Sequence, residues 1–183
     1  MQEYKRTTPD FSLCGLNCVL CPRHNTDGSS RCPGCGGPEF NLKHPSCAVI
    51  RCSRKNGNVE YCFVCEKYPC ERFSRIDEDG KDSFISYRNV LADNDMAKSD
   101  LKIYLRDLEK KNKYLEYFLT THNDGRSKGF FCLAINLLGI NDLDEIIGIV
   151  KEKEKHQKLE TDTVKGLFYE RARARGIELV LRR

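Results

Sequence analysis

The apolar positions in the last two thirds of the chain recur at helical spacing. Between residues 100 and 121 they form one stripe with steps of three and four residues: Leu101, Tyr104, Leu105, Leu108, Leu115, Phe118 and Leu119. This period predicts a long amphipathic helix that Ser99 or Asp100 caps and that a turn at 123–125 ends. The segment 129–138 is apolar on all sides, so it is predicted to be the most buried segment.

Shorter patterns predict the other elements of this part. Helical turns or helices are expected around 73–76, 84–91 and 141–150, and a last helix from Thr161 with Gly176 as its stop. Residues 177–181 read as a strand that needs a partner. Segments 47–51 or 59–63 could pair with it, and so could a second copy of the chain, which would form a homodimer. The predicted fold class is mainly α with few short strands.

The first third of the chain has too few apolar side chains for a core of its own. All of the eleven cysteines except Cys132 lie between Cys14 and Cys70. The few large apolar residues there cannot offset the entropy lost on ordering the segment, about 1–2 kcal/mol for each backbone unit. Disulfides and metals are the usual substitutes for a core. We therefore predict a small, irregular cysteine-rich module over 11–76, a boundary within 77–82 and a helical domain over 83–183.

The spacing of the cysteines favours metal binding over disulfides. Three pairs have the Cys-x2-Cys spacing: Cys18/Cys21, Cys32/Cys35 and Cys62/Cys65. Two intervening residues let a tight turn aim both sulfurs at one tetrahedral ion. In the segment CPGCGG at 32–37, proline presets one dihedral angle and glycine accepts a positive φ. Cys132, alone in the apolar segment, reads as a small core residue.

The sequence also predicts a cellular compartment in which thiols stay reduced. The amino terminus, MQEYKRTTPDF, lacks the apolar core of a secretory signal. No apolar run approaches the roughly 20 residues that span a bilayer, so no membrane partner is expected. A cytoplasmic location, where thiols stay reduced, is the interpretation.

Ligation by sulfur alone selects zinc or an iron–sulfur cluster. Cys14-x3-Cys18-x2-Cys21 has the spacing of the cluster-binding cysteines in radical S-adenosylmethionine enzymes. Those enzymes need strand–helix repeats after the motif, whereas more cysteines and then helices follow here. The zinc knuckle at residues 32–36 favours zinc, and iron–sulfur is the alternative.

Ten thiols fill two four-coordinate zinc sites with two thiols to spare. The candidate ligands are Cys14, Cys18, Cys21, Cys32, Cys35, Cys47, Cys52, Cys62, Cys65 and Cys70. One division gives the first ion Cys18, Cys21, Cys32 and Cys35, and the second ion Cys52, Cys62, Cys65 and Cys70. Cys14 and Cys47 are then spares, exchange candidates or members of a crossed arrangement, and a third ion that shares thiolates is an alternative. His24 and His44 could substitute as ligands, although a surface role is favoured for both.

The complete cysteine pattern resembles a prokaryotic cysteine-rich family of unknown function, DUF3795. The resemblance covers residues 11–76 and rests on four strings: Cys-Gly-Leu-x-Cys-x2-Cys from Cys14, Cys-x-Gly-Cys from Cys32, Cys-x4-Cys from Cys47 and Cys-x2-Cys-x2-Tyr-Pro-Cys from Cys62. Where such sequences commonly carry tyrosine, this chain has His24. The resemblance implies zinc binding and assigns no catalytic residue.

The net charge and the ligand type rank nucleic-acid binding and catalysis below a structural role for zinc. Two tetrathiolate zinc sites, at −2 each, would cancel the net charge of +4, and this disfavours nucleic acid as a partner. The basic tail reads as a solvated face: Arg171, Arg173, Arg175, Arg182 and Arg183. Closed thiolate sites activate water poorly, so an enzyme is disfavoured, with thiolate alkylation at Cys14 or Cys47 as the minority hypothesis. The predicted function is a structural-zinc protein that binds a protein or peptide, of unknown cellular role.

Overall fold

Helices dominate the computed structural model, which describes residues 4–44, 47–74 and 87–180. Within those ranges the α helices are α1 Phe40–Lys43, α2 Ala48–Lys55, α3 Glu71–Ser74, α4 Tyr87–Ser99, α5 Leu101–Thr121, α6 Lys128–Leu137, α7 Ile140–Glu154 and α8 Thr161–Ala174. Two 3-10 helices are η1 Cys18–Leu20 and η2 Cys62–Val64. The mainly α class with a cysteine-rich amino-terminal region is confirmed.

The predicted strand at 177–181 is wrong over its described part. Residues 177–180 form no strand, because the end of α8 uses their first backbone group. Gly176 has φ +67, and the Ile177 amide donates to the Ala172 carbonyl at 2.8 Å, a Schellman ending of the helix. Gly176 therefore stops α8 as predicted, and among the described residues the strand pattern beyond it has no sheet to join.

The two candidate partner segments are not strands either. Residues 48–51 belong to α2, and 62–63 belong to η2. Across the described ranges the β structure is one isolated antiparallel bridge between Phe11 and Asn17. The expected pairing with a second copy of the chain stays a prediction.

The chain divides into two compact units, residues 1–105 with 182–183 and residues 106–181. The compact unit that holds the ten clustered cysteines thus continues through α4 into the start of α5. The predicted boundary at 77–82, together with Ile76 and Phe84, lies outside the described residues. The predicted domain bounds of 11–76 and 83–183 stay a prediction.

The second unit has an aromatic and aliphatic core. The rings of Phe118 and Phe131 stack with centroids 5.4 Å apart, and Phe168 meets Phe118 edge-on at 5.1 Å. Residues 131–136 and Leu138 are buried, as the prediction of a buried segment at 129–138 requires, whereas Phe130 and Leu137 are partly exposed. Cys132 is fully buried there, as expected of a core residue.

The first unit has a smaller core in which sulfur takes part. Tyr4, Leu13, Phe40 and Ile50 are buried together with Cys35, and three more cysteines and two valines pack at their edge: Cys18, Cys47, Cys62, Val49 and Val59. A second cluster centres on Phe73 and Val90 and contacts Cys14, Leu16, Cys62, Tyr68, Cys70 and Leu91. No helix in the described ranges is long and apolar enough to cross a membrane.

Candidate metal centre

Two of the three Cys-x2-Cys pairs lie on 3-10 turns. The Cys21 amide donates to the Cys18 carbonyl at 3.0 Å, and the Cys65 amide donates to the Cys62 carbonyl at 3.0 Å. In each pair, one tight turn therefore joins the two cysteines. This is the local geometry that their spacing predicts.

The third pair depends on close backbone packing. The Cys35 amide donates to the Pro9 carbonyl at 2.9 Å. Gly34 has φ +83, and a Cβ there would lie 2.5 Å from the Pro9 oxygen. Gly34, the first glycine of the CPGCGG string, is thus required both by its positive φ and by the close approach of the amino-terminal chain.

The loop that carries Cys14 is held by short hydrogen bonds. Ser12 Oγ accepts from the Leu16 amide at 2.7 Å and lies 3.2 Å from the Cys14 Sγ. The Cys62 amide donates to the Leu13 carbonyl at 2.8 Å. The backbone at Cys62 is therefore joined to the loop that carries Cys14, although the two residues are far apart in sequence.

One group of thiols gathers around Cys62. Burial raises the pKa of Cys62, and negative charge on four neighbouring thiols raises it further: Cys14, Cys70, Cys52 and Cys65. Because charges interact strongly only at short range in a protein, these five sulfurs lie in one neighbourhood. The group contains the whole ligand set predicted for the second ion and adds Cys14.

A second group gathers around Cys35. Burial raises the pKa of Cys18, and charges on Cys35, Cys14 and Cys21 add to that effect. Burial also raises the pKa of Cys14 to about 11, and Cys35 and Cys47 raise it as well. Cys47, predicted as a spare, thus belongs with this group, and Cys14 has neighbours in both groups.

The Cys32 backbone and the two candidate histidines have contacts of their own. The Cys32 amide donates to the Arg23 carbonyl at 3.0 Å. His24 Nε2 contacts the Arg31 guanidinium at 3.4 Å, and burial together with Arg31 lowers the pKa of His24. His44 is exposed and stacks on Phe40 with centroids 4.6 Å apart.

The donor set suits a soft metal, although the thiols are not yet placed as ligands. All eleven cysteines lie in described residues, and none forms a disulfide. In the described ranges, no group of three or more cysteine, histidine, aspartate or glutamate side chains is arranged to hold a metal ion. Tetrahedral zinc would need thiolates at about 2.3 Å, so metal binding requires the neighbouring thiols to lose protons and converge.

Comparison with known families gives a match over the cysteine-bearing segment. Residues 10–75 match the family described as "Protein of unknown function (DUF3795)". The resemblance seen in the cysteine pattern is thereby confirmed. No curated protein and no solved structure matches the chain.

Arg6, which precedes the DUF3795 segment, is a site residue that sequence analysis missed. Its side chain is 1% exposed and donates to the Glu60 and Phe11 carbonyls, each at 2.7 Å. Burial raises the pKa of Cys35, whereas the Arg6 guanidinium lowers it as a hydrogen-bond partner. A single arginine in a polar terminus has no periodicity or spacing that could have indicated this place.

A cavity of about 650 Å³ opens beside the DUF3795 thiols. Cys14 and Cys70 form part of its wall, and the remainder is apolar or charged: Ala48, Val49, Phe73, Lys67, Glu71 and Arg72. The volume lies in the range of small-molecule and side-chain pockets. The cavity therefore offers room for a ligand or a partner's side chain next to two candidate metal ligands.

Proposed function

We propose that the DUF3795 segment binds zinc through its thiolates and that the metal holds this segment in its fold. The observation that carries the proposal is the gathering of nine cysteines, none in a disulfide, into two neighbourhoods around Cys35 and Cys62. Buried thiols that raise one another's pKa are poor thiolates until a cation replaces their protons. A divalent ion in each neighbourhood would offset the repulsion between the neighbouring thiolates.

The expected count is two zinc ions, with a third ion as the alternative. Cys14 neighbours both groups, so it is suited to complete either site or to bridge them. Binding at structural zinc sites contributes about 10–16 kcal/mol at neutral pH in zinc-finger peptides. A term of this size would supplement the small core of the first unit.

The metal content of the purified chain tests the proposal. We expect elemental analysis of protein isolated under reducing conditions to give two zinc ions per chain. Cys62→Ser combined with Cys65→Ser should lower the count, whereas Cys132→Ser, in the core of the second unit, should leave it unchanged. A chain without bound metal would refute zinc binding, and iron with visible absorbance would establish the cluster alternative.

We also propose that the module binds a peptide or protein segment at the cavity beside Cys14 and Cys70. The support is a cavity with apolar walls at Val49 and Phe73 and a charged rim at Lys67 and Arg72. Apolar walls and a few charged groups are the usual composition of a recognition pocket. Nucleic acid stays the less favoured partner, because zinc-bound thiolates would make this region negative.

A displayed peptide library tests the cavity directly. Peptides selected on the zinc-loaded protein should lose binding to Ala48→Trp, since Ala48 lines the cavity. Leu42→Trp is the matched control, because Leu42 is exposed and is not among the cavity-lining residues. Binding that survives Ala48→Trp, or selection that yields no peptide, would overturn this proposal.

A further inference from the structure

Helix α4 lies outside the DUF3795 segment, yet it packs on the thiols of that segment. It contacts η2, the turn between Cys62 and Cys65. Val90 is fully buried in the cluster that includes Cys14, Cys62 and Cys70. The apolar face of α4 therefore forms one side of the neighbourhood around Cys62.

A buried amide on the same helix holds the Cys14 loop. Asn94 is 0% exposed, and its Nδ2 donates to the Cys14 carbonyl at 2.9 Å. Gly15 has φ +98, and a Cβ there would lie 2.5 Å from the Asn94 Nδ2. The glycine thus lets the loop approach α4 closely enough for this hydrogen bond.

The other end of the loop is held by a second polar contact. Asn17, next to Cys18, is buried and donates from Nδ2 to the Asp93 carboxylate at 3.1 Å. The Tyr104 hydroxyl at the start of α5 donates to Asn17 Oδ1 at 2.8 Å. Buried polar networks of this kind fix one arrangement because each partner is costly to leave unpaired.

We propose that Asn94 is a positioning residue for metal binding: it fixes the Cys14 loop so that the Cys14 thiolate can join the ligands around Cys62. The inference rests on the proposed zinc function. Hydrogen bonds to the residues that ligate a metal orient the ligating atoms, and their loss typically weakens metal affinity about 10–100-fold. The functional metal module then extends beyond the matched family segment to include α4.

A double-mutant cycle tests whether Asn94 acts through Cys14. We expect Asn94→Ala to weaken zinc affinity about 10–100-fold in a chelator competition. In the Cys14→Ser background the same substitution should cause no further loss, because the positioned thiolate is gone. An equal loss in both backgrounds would show a merely structural role and overturn the inference. Asn112→Ala, at a partly exposed asparagine on α5 that donates to Glu116, is the matched control.

A metal-independent measurement separates this inference from the zinc proposal. In the zinc-free chain, alkylation of Cys14 followed by mass spectrometry should be faster in Asn94→Ala than in the wild-type protein. If the wild-type chain binds no zinc, the zinc proposal fails while this arm still tests the positioning. Unchanged alkylation of Cys14 would refute it.

A milder variant covers the case in which Asn94→Ala does not fold. Tyr104→Phe keeps the ring and removes the hydroxyl that donates to Asn17. Its effect on zinc affinity should vanish in the Cys18→Ser background. Persistence of the full effect there would contradict the positioning of this loop by α4 and α5.

Discussion

Gly15 combines a backbone angle and a neighbour that both exclude a side chain. Its φ is +98, and an added Cβ would meet the Asn94 amide at 2.5 Å. We expect Gly15→Ala to lower the free energy of unfolding by at least about 1–3 kcal/mol, the usual cost of a strained backbone conformation, because the contact with Asn94 adds to that strain. Urea denaturation followed by circular dichroism, at a fixed zinc concentration, measures the loss.

Gly57 provides the control for this prediction. It has φ +83, but nothing lies within 4 Å of an added Cβ. Gly57→Ala should therefore show only the backbone cost of about 1–2 kcal/mol. If the two variants lose the same stability, the close approach of α4 to the Cys14 loop is not a constraint on residue 15.

His122 makes the second unit sensitive to acid. Neither ring nitrogen has a partner in hydrogen-bond geometry among the described residues, and Glu154 lies 3.5 Å from Nε2. Burial and the charge of Lys158 lower the pKa of His122, while Glu154, to which Tyr117 donates a hydrogen bond, opposes them. The unfolded chain then binds a proton near pH 6.5, whereas the folded chain binds it only at lower pH.

Stability from this group is therefore complete above about pH 6.5 and falls as the pH drops below that value. The loss has an upper limit of about 1.4 kcal/mol per pH unit for one proton. We expect His122→Phe to reduce the difference in free energy of unfolding between pH 7 and pH 5. An unchanged pH dependence in this variant would show that His122 contributes nothing to acid sensitivity.

At the scale of elements, local patterns predicted what depends on local interactions. The spacing of apolar residues at 100–121 correctly predicted α5 and its bounds, and Gly176 correctly predicted the end of α8. The strand prediction was wrong over residues 177–180, its described part, because alternation does not reveal whether a neighbouring strand exists. The sequence also assigned Val90 and Leu91 to a helix, but periodicity cannot indicate that sulfur atoms cover that face.

The hydrogen bonds at the start of α5 distinguish the two N-cap candidates, Ser99 and Asp100. Asp100 Oδ1 accepts from the Ile103 amide at 2.9 Å, so Asp100 is the cap. We expect Asp100→Ala to destabilise the first turn by about 0.5–2 kcal/mol. Hydrogen exchange at the Ile103 amide should accelerate accordingly. Ser99→Ala, the control, should leave this exchange unchanged, and equal acceleration in both variants would contradict the assignment.

At the scale of the molecule, the cysteine spacing predicted the group of Cys52, Cys62, Cys65 and Cys70 but not the neighbours of Cys14 and Cys47. Cys-x2-Cys pairs are set by one tight turn, so spacing identifies them. The approach of Cys14 to Cys62 and of Cys47 to Cys35 depends on long-range folding that spacing does not encode. Arg6 and Asn94 belong to no motif at all. Metal binding and the identity of the metal stay predictions.

The two compact units should respond differently to loss of metal. Residues 106–181 bury Phe118, Phe131 and Phe168 in a core that contains no candidate ligand. In the first unit, cysteines occupy positions that apolar side chains would otherwise fill. Since metal binding and folding are coupled where the apolar core is small, stability of the first unit should depend on the ion.

We expect a chelator under reducing conditions to unfold the first unit and to leave the second folded. Limited proteolysis should then digest the cysteine-bearing unit and leave a resistant fragment within 106–181, while circular dichroism keeps part of its helical signal. Excess zinc added with the chelator is the control and should preserve the full chain. If the metal-free chain resists the protease as the zinc-bound chain does, sulfur–metal bonds do not hold this unit together, because its fold would then stand without them.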